Sequence, residues 1–136
     1  MYYVTFSIRF GKLSDDEIKM VLSHIVDRHN TFYHLFAAQV MPDHVHIIQK
    51  PFPKYSLSRI MKGLKGVSAK KINVFRKTMG SIWQDESYDR IIRSEKDLSE
   101  KIKYIYENPL RAKIVKDPDS YCGWYFQENS LRKGDS

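Results

Sequence analysis

Apolar and polar positions along the chain alternate in some stretches and follow a helical period in others, which divides it into seven predicted elements. Residues 2–10 (YYVTFSIRF) are β-branched and aromatic with partial alternation, and predict a strand. Ser14, followed by Asp15, Asp16 and Glu17, forms an N-cap with acids in the first turn of a helix running to about Arg28. Residues 32–41 predict a second apolar strand, and Pro42-Asp43 a turn. Residues 44–49 predict a third strand, with His44, His46 and Ile48 outward and Val45 and Ile47 inward. From Ser56 to about Lys77, Leu57, Ile60, Met61, Leu64, Val67, Ile72 and Phe75 recur at helical spacing, with Gly63 and Gly66 as points of weakness or bending. Residues 82–83 and 90–92 are short strand candidates. Ser94 opens a last helix with the stripe Leu98, Ile102, Ile105, stopped by Pro109.

The resulting order, β-α-β-β-α-β-α, is that of an α+β, ferredoxin-like split-βαβ sandwich: an antiparallel sheet with helices on one face. The last helix is then an addition able to carry a residue of its own to the sheet. At 136 residues the chain has room for one core, so residues 1–128 are read as a single domain and residues 129–136 as a flexible tail. With 42% hydrophobic and 13% aromatic residues, burial offsets the ordering entropy and general disorder is excluded. The lone Cys122 excludes an internal disulfide and a cysteine-based zinc cluster. Absence of a signal-like N-terminus or a bilayer-spanning run points to a cytoplasmic protein without a membrane partner.

Charge changes the picture through its distribution. The net charge is +7, and every charged residue between Asp43 and Asp85 is basic. Arg59, Lys62, Lys65, Lys70 and Lys71 lie in the predicted long helix, largely on the face opposite its apolar stripe. Such a surface is either merely solvated or a phosphate-binding one.

Two features carry candidate chemistry. In His44-Val45-His46 the imidazoles are i and i+2 on a strand, so both project from one face and can grip one divalent ion. Such a triplet alone more often marks surface or packing histidines. In the last helix Tyr104 and Asn108 are i and i+4; at about 100° per residue they flank one side of the apolar stripe with Lys101, and Tyr106 flanks the other. Only one tyrosine can therefore share a site with Asn108. Alone, this segment is equally an ordinary amphipathic helix. Arg90 and Arg111 are read either as phosphate contacts or as balance for nearby acids. Trp83 and Trp124 are read as packing residues, and His24, His29 and His34, which lack ligand spacing, as surface or packing residues.

In chain order, MPDHVH, Trp83-Gln84, Tyr88-Asp89-Arg90 and Tyr104-Ile105 with Asn108-Pro109 resemble the REP-associated tyrosine transposases, relatives of the IS200/IS605 single-tyrosine HUH transposases. The resemblance covers most of the chain. It implies Mg²⁺ or Mn²⁺ held by His44 and His46, with Asn108 completing the site. It also implies Tyr104 as the nucleophile, forming a 5′-phosphotyrosine during cleavage and rejoining of single-stranded DNA near hairpin ends. The family often has Asn where Asp43 stands. Two rival readings use the same residues differently: a hairpin DNA- or RNA-binding module without chemistry, and a domesticated HUH nicking enzyme that mobilises nothing. Monomer and homodimer both fit the sequence.

Overall fold

The computed structural model of the protein describes residues 1–127; the tail expected over residues 129–136 lies outside them. The elements are β1 (Tyr2–Ile8), α1 (Asp15–Asp27), β2 (Tyr33–Val40), β3 (His44–Pro51), α2 (Leu57–Arg76), β4 (Trp83–Ile91), α3 (Glu95–Tyr106), α4 (Asn108–Arg111) and β5 (Trp124–Phe126). The strands form one sheet in the order β4-β1-β3-β2-β5, with every pairing antiparallel. The first four strands follow the split-βαβ arrangement that the pattern predicts, and β5 is an extra edge strand that it did not show.

The three long helices start where the sequence supplies a cap. Ser14 and Glu17 form a complete capping box at α1, while Ser56 and Ser94 accept the N3 amides of α2 and α3. Glu17 is also bonded by Arg76 of α2, so the capping residue ties the two helices together. Despite Gly63 and Gly66, α2 is a single unbroken helix of 20 residues, ended by Lys77 in a left-handed conformation.

The central strands of the sheet are covered on both faces. Val4, Phe6, Val45 and Ile47 face α1 and α2, whereas Phe36, Ala37 and Ile48 pack with Leu98, Ile102 and Ile105 of α3. His46 and Ile48, expected to face outward, are therefore covered by α3, and His46 is only 5% exposed. A second correction concerns β4, which is one strand of nine residues rather than two short ones. The polar run Gln84 to Asp89 hides it because β4 is an edge strand, held by its backbone ladder to β1 and carrying charge outward. Trp83 is a packing residue, edge-on to Phe6 with its indole N–H bonded to Ser68.

Candidate active site

The site is built on the α3 face, where β1 and β3 run side by side. Register places Thr5 opposite His46 and Ser7 opposite His44. The two imidazoles lie 4.6 Å apart, ring centre to ring centre, and are perpendicular. His46 Nδ1 lies 2.8 Å from the Tyr3 hydroxyl and 3.2 Å from that of Thr5, and His44 Nδ1 lies 2.6 Å from Asp43 Oδ1. Burial pushes the His46 pKa down to about 3, with His44 and Arg111 adding in the same direction, so this imidazole is neutral at physiological pH.

The last helix meets this pair from above. Proline at position 109 has no N–H to give the Ile105 carbonyl, four residues back, and that carbonyl instead accepts Gln39 Nε2 of β2 at 3.0 Å. α3 accordingly ends at Tyr106, ahead of Pro109; after a one-residue break at Glu107 the four-residue α4 starts at Asn108 with Pro109 in its first turn, and the freed carbonyl becomes the tether to the sheet. Asn108 keeps helical register with Tyr104, and its Nδ2 lies 2.8 Å from His46 Nε2. The Tyr104 ring is 6.5 Å from that of His46 and about half exposed (51%).

Other expected residues are distributed differently. Arg111 lies over the Tyr104 ring, its guanidinium carbon 4.3 Å from the centroid, and bonds the Tyr104 main-chain carbonyl. Lys101 sits 3.8 Å from Asp97 instead of turning to Tyr104, and Arg90 shares the same carboxylate at 3.4 Å. Tyr106 faces away, donating to Asp119 at 2.6 Å and packing on Trp124. Tyr3 and Thr5 were missed, although a polar residue on alternate positions of β1 is the signal that would have found them. No group of three His, Cys, Asp or Glu capable of holding a metal occurs among the described residues. The expected set contains two histidines and a carboxamide. These three donor types suit a divalent ion that keeps open positions for phosphate oxygens: both Nδ1 atoms are already engaged, and the hydrogen bond between the Asn108 amide nitrogen and His46 Nε2 is the one an ion would replace.

The chain matches the family described as "Transposase IS200 like" over residues 7–108, which is 102 of its 136 residues. That span includes His44, His46 and Tyr104 and ends on Asn108. The chain belongs to this IS200-like transposase family. The transposase also resembles a solved REP-associated tyrosine transposase bound to a REP hairpin, at 22% identity and a TM-score of 0.78, covering 96% of this chain and 79% of that one. No curated protein matches it. No helix among the described residues is long and apolar enough to cross a membrane.

The cationic surface lies on the other face of the sheet. Arg59, Lys62, Lys70 and Lys71 are exposed on α2, but Lys65 is not free for phosphate: its ammonium bonds the carbonyls of Gln84 and Asp85 and the Ser87 hydroxyl. Beside them, a cleft of about 370 Å³ between α1 and α2 is flanked by Arg28 and Arg59, which lie against Phe32 and Tyr55, with the buried His24 among its lining. Neither arginine has a carboxylate partner among the described residues. His29 serves structure, its Nδ1 accepting the Leu35 amide at 2.9 Å, and its ring packs on His34.

The Gln39 tether makes one expectation concrete. Gln39→Leu removes the side-chain donor of the Ile105 carbonyl, a loss of about 1–3 kcal/mol in stability. Because that carbonyl holds the turn between Tyr104 and Asn108, strand cleavage should fall well beyond what the lower melting temperature explains. Cleavage kept at the native rate in a folded Gln39→Leu variant would show that the tether only stabilises.

Proposed function

We propose that this transposase cleaves and rejoins single-stranded DNA beside a hairpin through a 5′-phosphotyrosine on Tyr104, with Mg²⁺ or Mn²⁺ held by His44, His46 and Asn108. The observation carrying this reading is the convergence of Tyr104 and Asn108, from α3 and α4, on the His44–His46 pair of β3. Hairpin DNA as the partner is supported by the solved relative, which is bound to a REP hairpin, and by the cationic α1–α2 surface.

The Tyr104 hydroxyl attacks the scissile phosphorus: the phenol gives up its proton as its P–O bond forms, the P–O3′ bond breaks, and the departing 3′ oxygen takes a proton, so that none is gained or lost overall. When bound, the ion supplies Lewis-acid polarisation of the scissile phosphate. Arg111, packed over the ring and bonded to the Tyr104 main-chain carbonyl, restricts the orientation of the ring. Rejoining is the reverse, a free 3′-hydroxyl attacking the phosphotyrosine, and the covalent bond conserves the energy needed for it.

Labelled single strands carrying a hairpin and incubated with Mg²⁺ should yield a covalent protein–DNA adduct. Hairpin binding with no adduct under any divalent ion would point to a binding module without chemistry.

The α2 surface gives an independent expectation. Neutralising Lys62, Lys70 and Lys71 together should weaken DNA binding for all sequences alike and reduce the salt dependence by roughly one unit of slope per lost contact. Unchanged affinity and slope would make that face merely solvated.

A further inference from the structure

Both imidazoles of the candidate site are engaged from behind, by chemically different groups. A carboxylate can only accept, so the 2.6 Å contact between Asp43 Oδ1 and His44 Nδ1 puts the proton of a neutral His44 ring on Nδ1. At His46 the same assignment comes from the opposite nitrogen. The Asn108 amide nitrogen can only donate, so Nε2, 2.8 Å away, is the acceptor and Nδ1 carries the hydrogen shared between Tyr3 and Thr5. Burial explains the difference in partners. His46 is buried, where an extra carboxylate would be costly, and two hydroxyls serve it; Asp43 has a side chain 61% exposed, where its charge stays solvated.

We propose that Asp43, Tyr3 and Thr5 are positioning residues that hold both imidazoles as Nδ1–H tautomers, so that the Nε2 lone pairs are the ones a divalent ion takes, displacing the Asn108 N–H that His46 Nε2 accepts without it, and that the Asp43 carboxylate sets the affinity of the site for the ion. This rests on the metal site of the proposed function. With two imidazoles and a carboxamide as donors, the ion meets no negative charge in direct contact, and Asp43 is the carboxylate that reaches this set among the described residues. A carboxylate behind a ligating imidazole raises its basicity and orients it, an effect whose loss typically weakens metal binding 10–100-fold.

The test uses the whole protein without DNA. Long-range ¹H–¹⁵N NMR of the metal-free protein reads the tautomers, and Mn²⁺ titration followed by electron paramagnetic resonance reads affinity. The native protein should show His44 and His46 protonated on Nδ1. Asp43→Asn, which keeps an acceptor oxygen but removes the charge, should retain the His44 tautomer and weaken Mn²⁺ binding roughly 10–100-fold with an unchanged melting temperature. Tyr3→Phe combined with Thr5→Val should release the His46 tautomer and leave that of His44 in place. Equal Mn²⁺ affinity in the native protein and Asp43→Asn overturns the role of the carboxylate while leaving the metal site standing. Nε2–H tautomers in the native protein overturn the positioning role. Absence of any saturable Mn²⁺ binding in the native protein sinks the metal site and this inference with it.

Discussion

Tyr104→Phe is expected to eliminate the covalent adduct and to lower strand cleavage by on the order of 10⁶-fold, the scale seen when a nucleophile is removed from a site acting as a unit. The substitution deletes one oxygen and keeps the ring, so the stacking of Arg111 and the packing of α3 survive. Fold and hairpin affinity should therefore remain native. Tyr106→Phe is the matched control: its hydroxyl is committed to Asp119 on the far side of the helix, and its loss should leave cleavage intact. Mass spectrometry of the trapped adduct decides the matter, with a nucleotide expected through its 5′-phosphate on the peptide containing Tyr104. An adduct at Tyr106, or cleavage persisting in Tyr104→Phe, would overturn the mechanism.

The second large effect is expected from His44→Ala with His46→Ala. Two of the three proposed donors disappear, so the melting-temperature increase that Mn²⁺ gives the native protein should vanish and cleavage should drop by about 10³-fold or more, corresponding to roughly 4 kcal/mol of lost transition-state stabilisation. The two positions differ in structural cost. Removing buried His46 strands the hydroxyls of Tyr3 and Thr5 and the Asn108 amide, whereas His44 is partly exposed and its loss strands little. His44→Ala alone is thus the cleaner probe of the metal, and full cleavage in that variant together with the double variant would remove the metal from the mechanism. Hairpin binding should be native in both.

Much of this arrangement was legible in the sequence because it depends on short-range periodicity. Two residues apart on a strand and four apart on a helix suffice to place His44 beside His46 and Tyr104 beside Asn108. What escaped depends on contacts between distant segments. Lys65 reads like its neighbours on α2, and only the approach of β4 converts it into a clamp on carbonyl groups. Lys101 has the spacing to reach Tyr104 and also the spacing to reach Asp97, and the ion pair is what forms. The central run of β4 carries no strand signal because its pairing with β1, not its own composition, makes it extended. Pro109 marks a helix boundary by its chemistry, but the hydrogen bond that turns the boundary into a joint comes from Gln39, 66 residues before Ile105 in sequence.

Because His44, His46, Tyr104 and Asn108 occupy one face of the sheet and the exposed cations of α2 the other, five strands stand between the parts that would cut and the parts that would hold. Side-chain changes on the two faces fall in separate hydrophobic clusters, so their energetic effects should add. A lineage could then lose scission through one substitution at Tyr104 and keep its grip on hairpins whole. Such a protein would occupy the same DNA as its active relatives and shield it from them, a repressor made by subtraction.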